Sequence, residues 1–396
     1  MKDVVIVAGA RTPLARYMGE LQRVTALELG GVAAAGAIAR AMISPADFDH
    51  VVFGNALQTS GDALYGARHV GLRAGLPVST PAVTVNRLCG SGLEALIGGA
   101  HRLQLEEAAV VLAGGMENMS QAPHVIRGAR SGFRLGEGKL EDSLMVALLD
   151  TQCGLSMAET AEGLAADMGI GRRQQDEYAL LSQQRAQAAQ AACRLSEEIV
   201  PVPLGKGKQF TADNHLRPDT TLEKLAELPP AFSKNGCVTA GNASGIVDGA
   251  AAAVLTTAEE ARRRGLAPWG RIVSWAVAGV EPARMGRGPV PASRAALAKA
   301  GLRLEEMDRI EINEAFAAQY LAVERELGLD RERTNVNGGA IALGHPLGAT
   351  GTRLVLTLLC ELARTGGRWG LASACIGGGQ GIAMIVENLR RGAGNG

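Results

Sequence analysis

The chain has 396 residues, 47% of them hydrophobic, which excludes a disordered or fibrous protein and leaves room for two or three domains with large cores. Forty Lys plus Arg balance forty Asp plus Glu, so no net field draws the chain to nucleic acid, an anionic membrane or acidic ligands. Fifty-two Gly against 3% aromatics favour tight turns and close backbone approach, and no metal is expected because the six Cys show no C-x-x-C pair or metal-ligand spacing.

In chain order, VVIV (4–7), VVFG (51–54), AVTVN (82–86) and AVVLAG (109–114) are short apolar runs flanked by turn residues, the pattern of buried strands. Thr25 to Met42 and Ser91 to Leu105 carry apolar residues at spacings of three and four, which predicts helices between them. Strands alternating with helices predict an α/β sheet with right-handed crossovers. From about 120 to 245 the texture changes. A polar helix-prone run, 174–192, lies between Gly- and Pro-punctuated stretches, as expected of an inserted loop domain. The second half then echoes the first: a helix over 291–301, a strand from Asp308 (RIEIN), a glycine-rich helix start, and a strand ending in Gly377-Gly378-Gly379. A duplicated α/β unit is the preferred reading over chance similarity. No signal segment, membrane-length apolar run or lipidation motif is present, and scattered thiols suit a reducing cytoplasm.

Four segments carry candidate chemistry. Cys89, in Asn86-Arg-Leu-Cys-Gly-Ser-Gly92, lies where a strand meets a helix N-terminus, which would lower a thiol pKa; a Cys packed as a small hydrophobe is the alternative. His345 has five glycines around it in 338–351, where backbone amides can reach a ligand, or it is an ordinary turn His. Cys375 begins CIGGGQG after an apolar strand, placed to exchange a proton at a substrate carbon, or to open a tight turn. Asn313, in NEAFA, is expected at a helix N-cap and also at the sheet edge, where it can hold a water or a carbonyl oxygen; Glu314 reads equally as a buried structural charge. The Walker A, dinucleotide and nucleophile-elbow patterns are absent, which argues against nucleotide hydrolysis, NAD chemistry and α/β-hydrolase action.

Together, NRLCGSGLEA, NEAFA, GGAIALGHPLGATG and CIGGGQG, with VVIVAGARTP at 4–13 and VTAGNASGIVDGAAA at 238–252, closely resemble the thiolase family of acyl-CoA acetyltransferases. The resemblance implies the thiolase fold: duplicated α/β halves in a five-layered αβαβα sandwich with an inserted loop domain. The halves would be 1–119, completed by about 246–268, and 269–396, with 120–245 inserted. It implies an acyltransferase that cleaves 3-ketoacyl-CoA with coenzyme A, or condenses two acetyl-CoA in reverse, through an acyl-cysteine. Coenzyme A is then a substrate, with no further cofactor.

By the same resemblance Cys89 is the nucleophile, His345 its base and Cys375 the second acid/base thiol. The enolate oxygen is held by His345 and a water on Asn313, and a second oxyanion hole is formed by the amides of Cys89 and Gly377. Ser244 and Arg217 are implied to contact coenzyme A, and Met157, Ala315, Phe316 and Met285 to bind the substrate or its coenzyme A. Ser156 stands where acetoacetyl-CoA-specific members carry His. With RPDTTLEKL (217–225), it points to longer or functionalised 3-ketoacyl chains. A non-catalytic acyl-CoA carrier would lack one of the two thiols, and a ketosynthase would want a His in place of Asn313. Neither departure is seen. The partners implied are coenzyme A thioesters and further copies of the chain, as a homodimer or homotetramer, with Gln121 to Leu140 a candidate tetramer contact.

Overall fold

The computed structural model describes residues 2–390; Met1 and 391–396, which hold most of the tail read for lipidation signals, lie outside the described residues. The first half runs β1 (Val4–Arg11), α1 (Ala26–Ala41), β2 (His50–Gly54), α2 (Gly66–Arg73), β3 (Ala82–Val85), α3 (Ser91–Gln104) and β4 (Val110–Glu117). After a long intervening segment holding α4 (Met157–Met168) and α5 (Arg172–Ala191), it ends in β5 (Val247–Thr257). The second half runs β6 (Gly270–Gly279), α6 (Pro289–Ala300), β7 (Arg309–Ile312), α7 (Ala317–Leu327), α8 (Leu347–Thr365), β8 (Trp369–Ile376) and β9 (Gln380–Asn388).

Strand pairing follows the order β3-β2-β4-β5-β1-β6-β9-β8-β7. In the first half β2 is parallel to β3 and to β4, while β4–β5 and β5–β1 are antiparallel. The second half repeats this: β7 is parallel to β8, and β8–β9 and β9–β6 are antiparallel. Even β3 has a counterpart, a parallel bridge from Ile310 to Thr334. The halves join where Val4 to Ile6 pairs with Gly270 to Ile272. The internal repeat expected from the sequence is thus present strand by strand.

Side-chain alternation explains why these strands are apolar throughout. On β5, Ala250, Ala252 and Val254 pack under α1 and α2, while Ala251, Ala253 and Leu255 face α3 and α8. On β9, Ile382, Met384 and Val386 face α3 and α8, while Ala383 and Ile385 pack against α6 and α7. Helices α3 and α8 are therefore the central layer between two sheet halves, with helices outside each, the five-layered thiolase fold. One expectation needs correction. The strand read as ending at Gly114 continues to Glu117, because Gly115 is an approach point and not a terminator: a Cβ there would fall 1.8 Å from Gly348 O on α8.

The intervening segment is pinned from below by Arg11, fully buried at the end of β1, whose guanidinium takes Glu198 at 2.7 Å and Asp213 at 2.7 and 2.8 Å. A buried cation satisfied by two carboxylates tolerates loss of neither.

Candidate active site

The turn carrying Cys89 is built by short polar residues. Asn86 Oδ1 accepts from Leu88 N at 2.9 Å, and Ser91 Oγ accepts from Arg87 N at 2.8 Å and donates to Leu88 O at 2.7 Å. These bonds hold Leu88 in the left-handed region, φ +46°, and so aim the next residue away from the strand. Arg87 ties the turn to Glu94 on α3 (2.8 Å) and to Gln380 at the start of β9 (3.0 Å). The glycine turn between β8 and β9 therefore lies against Cys89, and the amides of Gly377 and of Cys89 face the sulfur.

The expected lowering of the Cys89 pKa is overturned. Loss of solvation pushes the thiol up to about 11, outweighing the two amides that favour the thiolate. Cys375, fully buried near the end of β8, is raised further by burial and by its neighbour Cys89. Both groups rest as thiols, so a base is required.

His345 is the candidate for that base. It is 5% exposed, and its backbone N–H donates to Gly245 O at 2.9 Å. Its Nδ1 lies 2.6 Å from Thr350 Oγ1 in the first turn of α8, and its Nε2 lies 3.3 Å from Asn313 Nδ2. Burial, with Arg353 adding, lowers its pKa to about 3, so the imidazole is neutral. Asn313 is not the N-cap expected, since Phe316 occupies that position. The chain runs extended past β7, with Asn313 N donating to Ser373 O at 2.9 Å, so the strand ladder carries Asn313 to the Cys375 end of β8. Its buried Oδ1 has no partner among the described residues. Glu314 accepts from Tyr178 and Ser182 at 2.7 Å each, and from Asn335 and Ile341 N at 3.1 Å each, which is a structural role.

Cys375, Met285 and Ala315 form one buried apolar cluster with Met157 and Phe316 packed on it. Gly377 borders the cluster: a Cβ there would sit 3.0 Å from Met157 Sδ and 3.4 Å from Leu88 Cδ1. Ser244 is adjacent, its N–H bonded to Ala315 O at 3.0 Å. Arg217 is exposed and stands apart, held by Gln183 Oε1 on its backbone N–H at 3.0 Å. Ser156, which stands where acetoacetyl-CoA-specific members carry His, caps α4, accepting from Glu159 N at 3.2 Å.

Sequence reasoning missed Thr350, a direct partner of His345, and Glu117, which holds the Gly348 amide three residues on. Thr350 is in the same glycine-rich motif, and a hydroxyl five residues after the His was the available signal. Glu117 was invisible: its carboxylate gathers Asn55 Nδ2, Ala56 N, Leu57 N and Gly348 N at 2.8 to 3.1 Å, and burial raises it to about 7. Among the described residues no group of His, Cys, Asp and Glu is arranged to hold a metal, and no helix is long and apolar enough to cross a membrane.

Residues 4–259 match the thiolase N-terminal domain family and 266–388 the thiolase C-terminal domain family. The chain is 52% identical to the human mitochondrial 3-ketoacyl-CoA thiolase over 98% of its own length and 99% of that protein. It is 48% identical to an acetyl-CoA acetyltransferase of Cupriavidus necator, over 98% and 100%. The crystal structure of the human enzyme in complex with CoA superposes with a TM-score of 0.96 at 51% identity, covering 98% of each chain. That of the Bacillus anthracis acetyl-CoA acetyltransferase gives 0.96 at 44%, covering 98% and 99%. With the fold, the duplicated sheet and all four motifs in place, the chain belongs to the thiolase family and is an acyltransferase.

Proposed function

We propose that Cys89, His345, Cys375, Asn313 and Gly377 carry out the cleavage of 3-ketoacyl-CoA by coenzyme A, and the reverse condensation. The observation that carries this reading is the meeting of four distant segments: the Gly377 amide at the Cys89 sulfur, and Asn313 at His345 Nε2.

His345 Nε2 takes the Cys89 proton, and the thiolate attacks the 3-keto carbon, whose oxygen is received by the amides of Cys89 and Gly377. The bond between carbons 2 and 3 breaks, its electrons enter the acetyl-CoA enolate, and Cys375 protonates carbon 2. The enolate oxygen faces His345 and a water on Asn313 Oδ1. The proton on His345 then restores Cys375. Coenzyme A gives its thiol proton to His345, attacks the acyl-cysteine, and Cys89 leaves as thiolate and recovers that proton. Coenzyme A is a substrate throughout.

We assign Ser244 to the pantetheine arm and Arg217 to the adenine end of coenzyme A. Met157, Met285, Ala315 and Phe316 are assigned to the acyl chain. The apolar character of that cluster favours 3-ketoacyl chains longer than acetoacetyl. We divide the chain into halves 1–119 with 246–268, and 269–396, around an insertion at 120–245. Exposed Ile126, Phe133, Leu135 and Leu140 support a contact between copies in a homodimer or homotetramer. A reducing compartment suits six free cysteines, and we place the chain in the cytoplasm.

The test is CoA-dependent cleavage of acetoacetyl-, 3-ketohexanoyl-, 3-ketodecanoyl- and 3-oxoadipyl-CoA, compared by kcat/KM. Higher values for the longer chains support the assignment. Cleavage of acetoacetyl-CoA alone overturns the chain-length reading, and cleavage of none overturns the site. Light scattering giving a particle of 41.0 kDa overturns the oligomer.

A further inference from the structure

A second contact between β7 and α8 lies beside the one at the site. Glu311 and Asn313 are two residues apart in extended chain and so share a face. Thr350 and Arg353 are three apart on α8 and share a face of that helix. The two faces meet twice: Asn313 Nδ2 at His345 Nε2, 3.3 Å, with the other ring nitrogen on Thr350, and Glu311 Oε2 at Arg353 Nη1, 3.2 Å.

The second contact is an Arg–Glu pair buried in the central layer. Arg353 and Glu311 are 1% and 3% exposed, and Arg353 Nε and Nη2 have no partner among the described residues. A charge pair this buried and this incompletely bonded contributes little or nothing to stability against an apolar replacement. Its placement asks for another reason, and the reason available is register. We propose that Arg353 and Glu311 are a positioning pair for the thiolase reaction, fixing β7 against α8 and thereby the contact of Asn313 with His345. The proposal rests on the roles given above to His345 and Asn313.

Electrostatics point the same way. The Arg353 cation adds to burial in keeping His345 neutral, while burial pushes Glu311 up to about 8 against the pull of Arg353. Other ionisable groups stand on the segments next to His345. They are Glu314 at the exit of β7, Glu117 from β4 at Gly348, His215 against Gly245, and the Cys89 and Cys375 thiols. Glu198 and Glu361 lie further along, near Glu311. Arg353 is the cation that acts on His345 among them.

The experiment compares Arg353→Met, Arg353→Lys and the double variant Arg353→Met with Glu311→Leu. Each is assayed for acylation of Cys89 by acetyl-CoA, for α-proton exchange of acetyl-CoA, and for the pH profile of kcat/KM. Arg353→Met is expected to lose exchange by about 10- to 100-fold, more than it loses acylation. It also moves the acid limb up, because the cation that opposes protonation of His345 is gone. The lysine variant keeps the acid limb but not the exchange rate, and the double variant shows the same limb shift as Arg353→Met, since the missing cation sets it. A wild-type ratio of exchange to acylation with an unmoved limb in Arg353→Met overturns the pair. If that variant does not fold, the lysine variant decides by the same ratio. His345→Ala is the control: if it keeps exchange, the reading of the site fails independently of the pair.

Discussion

The Nδ1 of His345 lies 2.6 Å from Thr350 Oγ1, and that hydroxyl donates its own hydrogen to Pro346 O at 3.0 Å. With its one hydrogen committed, Thr350 accepts, so Nδ1 carries the imidazole proton and Nε2 presents a lone pair towards Asn313. The tautomer required of a base at Nε2 is set by the first turn of a helix.

Replacing Thr350 by Val removes that acceptor while keeping the shape. The expected loss in kcat is roughly 100-fold, with Thr350→Ser close to wild type. Steady-state cleavage of 3-ketohexanoyl-CoA measures it, and a fully active valine variant would show that Thr350 does not hold the tautomer.

The two thiols divide by task. Cys89→Ala should yield no acyl-enzyme in intact-protein mass spectrometry after exposure to acetyl-CoA. Cys375→Ala should still acylate yet fail at α-proton exchange. Normal exchange in Cys375→Ala would reverse the assignment.

Gly377→Ala places a methyl 3.0 Å from Met157 Sδ and 3.4 Å from Leu88 Cδ1 while leaving the amide in place. Long acyl chains should suffer first: the kcat/KM ratio of 3-ketodecanoyl- to acetoacetyl-CoA should fall by about 10-fold or more. An equal loss for both substrates would mean that the Met157 side of Gly377 does not meet the chain.

Ser156→Ala removes the cap of α4 and should cost about 1 kcal/mol in a chemical denaturation series without altering chain-length preference. A changed preference with unchanged stability would show that Ser156 acts on the acyl chain and not through the cap.

The pKa of His345 near 3 makes two statements about pH. The neutral base is fully present at pH 6.5, so no acid limb in kcat/KM should arise from His345 in the ordinary imidazole range. The unfolded chain, by contrast, takes a proton on this residue below about 6.5. This contribution therefore lowers stability as pH falls from about 6.5 towards 3. An NMR titration midpoint of the assigned His345 near 6.5 would refute both.

Much of this protein was legible as pattern. Apolar runs without polar alternation announced strands covered on both faces, and the echo of Asn86 to Gly92 in Leu343 to Gly351 announced duplication. What was misread shares one cause. Asn313 looked like a cap because capping is local, but the ladder to Ser373 overrides it. Gly114-Gly115 looked like a strand end because the helix that demands the missing side chain of Gly115 is more than 200 residues away. Cys89 looked like an acidic thiol because a helix N-terminus is visible in sequence and desolvation is not.

By itself the sequence determined the order of strands and helices, the repeat, and the motifs that carry two thiols, an imidazole and an amide to the ends of those elements. Local propensity and hydrophobic period are properties of neighbouring residues, and these suffice for that much. Only the tertiary structure decided which ring nitrogen of His345 is free, that both thiols rest protonated, that Thr350 and Arg353 act on His345, and that Glu117 holds the Gly348 amide. Those outcomes depend on desolvation and on contacts between α8, β4 and β7, and such contacts exist only once the central layer has closed.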